Sequence, residues 1–211
     1  MATETLALGP HCGRVTVHVF REGVVSALGH DLVLESTQWE GTAEVDLADP
    51  ASSRVRVAVP IRSLVVKEAQ GGLRKLTAED EANIAERIAA TLRADEQPNL
   101  EFRSTAVLIV ESPQDIVEDT GPGAGTMKGI LALAGREEPL DAEFSFMIQP
   151  GTLRLTGRAE VVQTKWGVTP FRGLRFGLKV RDSVEVHFDV LLPIPAVGGS
   201  GPARCAPSGA S

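Results

Sequence analysis

The four histidines are the side chains of this sequence best suited to acid–base or metal chemistry. They are His11, His18, His30 and His187, and their spacing matches no zinc pattern, since the sequence contains no HxH, HExxH or CxxC. His18 and His187 fall on the polar sides of alternating segments, where an imidazole is ordinarily solvated. We therefore predict no metal site.

His30 is the histidine best placed to contact a ligand, because it follows Gly29 and precedes Asp31 at the start of a predicted strand. A Gly-His-Asp turn at that point can direct the imidazole into the mouth of a cavity. A structural hydrogen bond is the alternative role. Adjacent residues of a strand point to opposite faces, so Asp31 is not expected to form a catalytic dyad with His30.

Motifs for enzymatic catalysis are absent from the sequence. It contains no GxSxG, no P-loop, no GxGxxG and no EF-hand loop. Carboxylates such as Glu143, Glu160 and Glu185 lie on predicted polar faces, and no pair stands out for acid–base work. The sequence predicts no catalytic residue and no cofactor, apart from a lipid bound in the interior.

Alternation of apolar and polar residues dominates the chain and predicts about nine β-strands. The predicted strands cover residues 14–20, 32–38, 41–47, 54–60, 100–110, 126–134, 139–148, 151–163 and 183–190. Pro150 and Gly151 separate two alternating runs, so residues 139–163 are predicted to form a hairpin. Many short strands with short connections are typical of a sandwich or a barrel.

Residues 77–95 follow a helical period instead. Ile84, Ile88 and Leu92 recur at every fourth position, and Thr77 is suited to cap the N-terminus. We predict one amphipathic helix inserted between strands, either as a lid or plug on a barrel or as a helix that binds a partner.

The predicted apolar faces mix large and small side chains. Three such faces are Leu140, Ala142, Phe144, Phe146 and Ile148; Leu153, Leu155, Gly157, Ala159 and Val161; and Leu100, Phe102, Ser104, Ala106 and Leu108. This mixture suits the wall of a ligand cavity. It also suits a filled barrel core, in which large and small residues alternate to fit the taper. Both interpretations stay open.

The overall composition predicts one globular domain with flanking segments. The 211 residues carry a formal net charge of −7, which argues against a nucleic-acid partner. We predict an N-terminal segment at 1–12, a barrel domain at 13–193 and a disordered Gly/Pro/Ser-rich tail at 194–211. Residues 111–125 are predicted to form a long acidic surface loop. No signal peptide or membrane-spanning segment is evident, so a cytoplasmic location is expected.

Five short motifs occur in order over about residues 13–192. The last is residues 157–168 (GRAEVVQTKWGV) followed by residues 178–188 (LKVRDSVEVHF). The earlier ones are His30-Asp-Leu, Trp39-Glu-Gly with Val45-Asp, residues 98–104 (PNLEFRS) and residues 129–135 (GILALAG). Together these motifs resemble the YceI-like family.

The resemblance implies a lipocalin-like antiparallel barrel of eight strands that holds a long isoprenoid chain, such as a polyprenyl quinone, and often forms homodimers. It also implies ligand contacts at Phe102, Phe144, Phe146 and Trp166, with His30 near one end of the tunnel. The predicted function is the binding or carriage of a long apolar ligand. The alternatives are an enzyme acting on an isoprenoid substrate inside the barrel, and a structural or stress-related interaction module with a filled core.

Overall fold

A curled antiparallel β-sheet and one α-helix make up the described part of the protein. The computed structural model describes residues 4–23, 29–46, 49–111, 121–172 and 179–193. The elements are β1 (Glu4–Leu8), β2 (Gly13–Val19), β3 (Arg21–Glu22), β4 (His30–Ser36), β5 (Glu40–Val45), β6 (Arg54–Pro60), β7 (Leu64–Gly71), α1 (Ala78–Thr91), β8 (Asn99–Glu111), β9 (Gly121–Leu133), β10 (Arg136–Gln149), β11 (Thr152–Val162), β12 (Lys179–Val180) and β13 (Ser183–Pro193).

The main sheet has eleven strands in the order β1-β5-β6-β8-β9-β10-β11-β13-β2-β4-β7. β3 and β12 pair separately as a small two-stranded sheet. The all-β class with one helix is confirmed, and the hairpin at 139–163 is observed as β10 paired with β11. The count of eight strands is not confirmed.

Of the strands in the main sheet, the alternation pattern missed two, β1 and β7, and these are its edge strands. β1 has only five residues, and six of the eight residues of β7 are exposed, namely Val65 and Lys67 to Gly71. Because most of β7 is exposed on both faces, its sequence has no need of alternation. β1 does alternate, with Leu6 and Leu8 buried, but its five residues give only a short pattern. β1 also extends the sheet to the N-terminal side of the predicted boundary at residue 13.

Curling of the sheet brings its two ends into one hydrophobic core. Leu6 of β1 and Leu64 of β7 share a buried cluster with Leu153 of β11 and Leu192 of β13. These strands lie at the ends and in the middle of the strand order, so the sheet must bend until its apolar faces meet. We call the face that carries these clusters the inner face and the opposite face the outer face.

The helix α1 is fixed by its cap and by its apolar side. The Thr77 hydroxyl accepts a hydrogen bond from the Asp80 backbone N–H at 3.2 Å, and the Asp80 carboxylate accepts one from the Thr77 backbone N–H at 2.8 Å. Ala89 is buried against Ile61, which lies between β6 and β7. The predicted N-cap is therefore confirmed, and the helix ends at Thr91, two residues before Arg93 adopts a positive φ of 57°.

The predicted acidic loop at 111–125 is corrected in part. Gly121–Gly125 begins β9 and pairs with β10, while residues 112–120 lie outside the described residues, as does the predicted tail at 194–211. Glycine and proline normally weaken a strand. Here Gly123 and Gly125 lie opposite Phe146 and Phe144 of β10, whose rings cover them.

Candidate functional site

Four phenylalanine side chains on the inner face form the centre of the candidate site. They are Phe102 of β8, Phe144 and Phe146 of β10 and Phe188 of β13. These strands, with β9 and β11 between them, are consecutive in the sheet. The ring centroids of Phe144 and Phe146 lie 6.3 Å apart, with 37° between the ring planes. The sheet therefore brings three of the predicted ligand-binding residues onto one continuous aromatic wall.

Phe188 is a member of this wall that the sequence reasoning missed. It lies directly opposite Gly157 of β11, and Gly157 lies opposite Phe144 on its other side. The signal that could have found it is the pairing of phenylalanine with glycine across neighbouring strands. That pairing depends on register, which turns and core packing set.

Several apolar side chains of the inner face around this wall are only partly buried, although Phe144 itself is buried. Phe146, Phe188 and Leu155 face the core clusters, yet each is only partly buried, as are Val15 and Val17 of β2. A core-facing side chain that stays accessible has neighbours on one side only. The arrangement can therefore accept further apolar atoms against the wall.

Trp166 occupies a different environment from the phenylalanines. It is only 1 % exposed and packs among Leu140, Val161 and Leu133 in the second core cluster. Its indole N–H donates a hydrogen bond to the Leu131 carbonyl at 2.8 Å. Almost the whole side chain is thus occupied by packing, and its contact with a ligand stays a prediction.

His30 lies at the first position of β4 and is half-buried. Its Nε2 donates a hydrogen bond to the Arg74 carbonyl at 2.8 Å. The carboxylate of the neighbouring Asp31 accepts a hydrogen bond from the Arg21 backbone N–H at 2.8 Å. The Arg21 guanidinium also lies 3.6 Å from this carboxylate. The structure therefore gives His30 a structural hydrogen bond, and Asp31 and His30 have separate partners.

The outer face carries the histidine cluster that the sequence did not reveal. The rings of His18 and His187 stack with centroids 4.2 Å apart, and His187 Nε2 lies 3.0 Å from a Glu185 carboxylate oxygen. They line a groove of about 930 Å³ that crosses the polar side of eight strands, from Val110 of β8 to Lys67 of β7. Among the described residues, no group of three or more His, Cys, Asp or Glu side chains is arranged to hold a metal ion.

Burial and the nearby His187 lower the pKa of His18 below its ordinary value, in that order of importance, although Glu185 and Glu68 oppose the shift. The hydrogen bond from His187 lowers the pKa of Glu185, and the hydrogen bond from Arg154 lowers that of Asp189. The carboxylates of Glu185 and Asp189 are therefore ionised at neutral pH, and His18 beside them is neutral.

Replacement of His18 by Gln should make the protein less sensitive to mild acid. Because the folded-state pKa of His18 is lowered, the unfolded chain binds more protons, so the wild-type free energy of unfolding falls as the pH drops below about 6.5. Between pH about 6.5 and about 5, the carboxylates with lowered pKa values are still ionised. Urea unfolding across this window should show a shallower pH dependence for His18→Gln than for the wild type. Parallel curves would contradict the assigned shift.

Comparison with known proteins gives one family and a set of structural relatives. A family model described as the YceI-like domain matches residues 17–192. No curated protein matches the sequence. The crystal structure of Burkholderia cenocepacia BcnA is similar with a TM-score of 0.60 and 13% sequence identity, covering 85% of this chain and 95% of that chain. A Campylobacter jejuni YCEI protein has a TM-score of 0.47 and 13% identity, covering 76% and 83%. The similarity to BcnA shows a shared fold.

Proposed function

This chain belongs to the YceI-like family, and on that premise we propose that it binds and carries a long apolar ligand, an isoprenoid or another lipid, against the inner face of its sheet. The observation that carries the proposal is the partly buried apolar surface around the four-phenylalanine wall. Phe102, Phe146 and Phe188 face inward and are only partly buried, as are neighbouring aliphatic side chains, whereas Phe144 is buried. A hydrocarbon chain is the ligand that such a surface fits best.

Burial of the chain itself can supply the affinity. Each methylene removed from water contributes roughly 0.8 kcal/mol, so a long chain can bind tightly without a polar contact. Entropy lost on binding subtracts from this gain, and short chains therefore bind weakly. The formal net charge of −7 does not affect the binding of such a ligand, because an uncharged chain is bound through its apolar area and its shape.

The proposal is that the protein carries its ligand and does not catalyse a reaction on it. The described cluster of His18, His187 and Glu185 lies on the outer face, on the opposite side of the sheet from the phenylalanine wall. The Nε2 of His30 donates a hydrogen bond to the Arg74 backbone carbonyl. An enzyme acting on an isoprenoid would need polar groups converging on the wall, where alternation places apolar side chains.

The proposal also includes a homodimeric state and a cytoplasmic location. The strands β1 and β7 lie at the two ends of the strand order, and edge strands are the positions at which a homodimer can form by strand pairing. None of the described helices is long and apolar enough to cross a membrane. The cytoplasmic location and the homodimer both stay predictions.

Extraction of the protein from its own host tests the proposed function. The chain is purified without detergent, extracted with organic solvent, and the extract is analysed by mass spectrometry. We expect one long-chain lipid in near-stoichiometric amount, because the apolar surface of the inner face is costly to leave in water. A protein that arrives empty and then takes up neither polyprenyl quinones nor fatty acids would argue for the filled-core interaction module instead.

A further inference from the structure

We propose that four glycines on the inner face, Gly123, Gly125, Gly129 and Gly157, determine which apolar chains the protein accepts. Each lets a phenylalanine ring of the wall lie down against the sheet, and so keeps the space above the ring free for a slender hydrocarbon chain. This inference rests on the proposed function, since it names the residues that would set the selectivity of the same site.

The clearest pair is Gly123 of β9 and Phe146 of β10, which lie directly opposite each other. A Cβ atom added to Gly123 would lie 2.1, 2.5 and 2.7 Å from three atoms of the Phe146 ring, and these are its three nearest neighbours. Real non-bonded carbon atoms keep about 3.5–4.0 Å between them. The tip of the ring therefore occupies the space that any other residue at position 123 would fill.

The same arrangement recurs three times along the wall. An added Cβ would meet the Phe144 ring at 2.7 Å from Gly125, the Phe102 ring at 2.4 Å from Gly129, and the Phe188 ring at 2.3 Å from Gly157. At these three glycines a backbone carbonyl oxygen also lies within 2.6 Å of the added atom, whereas at Gly123 the near atoms all belong to the ring. Gly123 therefore allows the position of a ring to be changed with the least disturbance of the backbone.

The direction in which a displaced ring would move follows from the pleat of the sheet. The ring is anchored at its Cβ on the inner face, with strands on both sides, so rotation away from the glycine carries it toward the interior. Phe146 is only partly buried, which leaves room for that movement. An alanine at position 123 thus narrows the space above the wall, and Gly123 acts on the ligand through the Phe146 ring.

The recurrence over β8 to β13 indicates the class of ligand that the wall selects. The four rings whose tips lie against these glycines are distributed over five adjacent strands of the sheet. Such a surface makes continuous contact with an extended linear or methyl-branched chain. A rigid fused-ring lipid such as a sterol cannot follow the contour of the wall as a flexible chain does, so we expect the glycines to favour slender chains over sterols.

Binding of a chain-length series to Gly123→Ala tests the inference. Purified protein is titrated with saturated fatty acids from decanoate to stearate, with farnesol and geranylgeraniol, and with cholesterol. We expect Gly123→Ala to bind the longest chains about tenfold more weakly, which corresponds to the exclusion of roughly two methylenes. Affinity for the shortest chains should not change. The double variant Gly123→Ala/Phe146→Ala should recover the long chains, because the displaced ring is then absent.

Phe146→Ala alone removes the ring itself. It is the substitute variant if circular dichroism shows that Gly123→Ala does not fold. It widens the space above the wall and should raise cholesterol binding relative to stearate. Unchanged selectivity in every folded variant, while the wild type binds the chains, would overturn the role of the glycines and leave the proposed function standing. A wild type that binds no member of the series would overturn the proposed function, and this inference with it.

Discussion

Trp166→Ala is expected to lower the free energy of unfolding by about 3–5 kcal/mol, a large share of the stability of an ordinary domain. The side chain is among the three most deeply buried large ones in the described residues, with 1 % of its surface exposed. Its removal leaves a cavity among Leu140, Val161 and Leu133 and takes away the N–H donor to the Leu131 carbonyl. Urea unfolding monitored by circular dichroism measures the change.

Trp166→Phe is the matched variant for this prediction. It keeps an aromatic ring in the cluster but loses the hydrogen bond to the Leu131 carbonyl, so we expect a smaller loss of about 1–2 kcal/mol. A loss below about 1 kcal/mol for the alanine variant would contradict the assignment of Trp166 as a packing residue. It would also make the predicted role of Trp166 as a ligand contact more attractive.

The core of the fold could be predicted from the sequence because its signal is local. Alternation in β2, β6 and β13 follows from one dry and one wet face, and the cap of α1 follows from a hydroxyl and a carboxylate three residues apart. Alternation alone left a sandwich and a barrel equally open. The resemblance of short motifs in order indicated the family, which the match over residues 17–192 confirms.

The parts that escaped prediction depend on contacts between distant residues. β7 is an edge strand whose exposed faces remove the alternating pattern, and β1 is an edge strand of only five residues. The start of β9 is stabilised by rings from β10, so Gly123 and Gly125 read as loop residues in isolation. The stacking of His18 on His187 depends on the register of β2 against β13, in which His18 lies opposite Glu185. None of these pairings is encoded by neighbouring residues.

Part of the candidate site could also be predicted from local alternation, and the rest depends on contacts between strands. Phe102, Phe144 and Phe146 alternate on apolar faces, so their common orientation could be read from the period of two. Phe188 alternates equally well in β13, but its place on the wall depends on Gly157 of the neighbouring strand. His30 was ambiguous because a turn residue can serve a cavity mouth or a backbone carbonyl, and the structure gives it the Arg74 carbonyl.

The claim that the ligand lies on the inner face is tested most directly by placing a lysine on either the inner or the outer face of one strand. Leu155 of β11 points inward, is partly buried and lies opposite Phe146, whereas its neighbour Thr156 points outward and is exposed. Leu155→Lys places an ammonium where the chain would lie, and an unpaired charge is costly to cover with hydrocarbon. Thr156→Lys adds the same charge to the outer face.

Both variants and the wild type are titrated with stearate and geranylgeraniol, after circular dichroism has verified that they are folded. We expect Leu155→Lys to bind the uncharged geranylgeraniol at least about a hundredfold more weakly, a loss of about 2.8 kcal/mol, and Thr156→Lys to bind it as the wild type does. Comparison with stearate separates burial from attraction between the new ammonium and the carboxylate. Equal binding of geranylgeraniol by all three folded proteins, or loss in Thr156→Lys alone, would contradict a ligand held on the inner face.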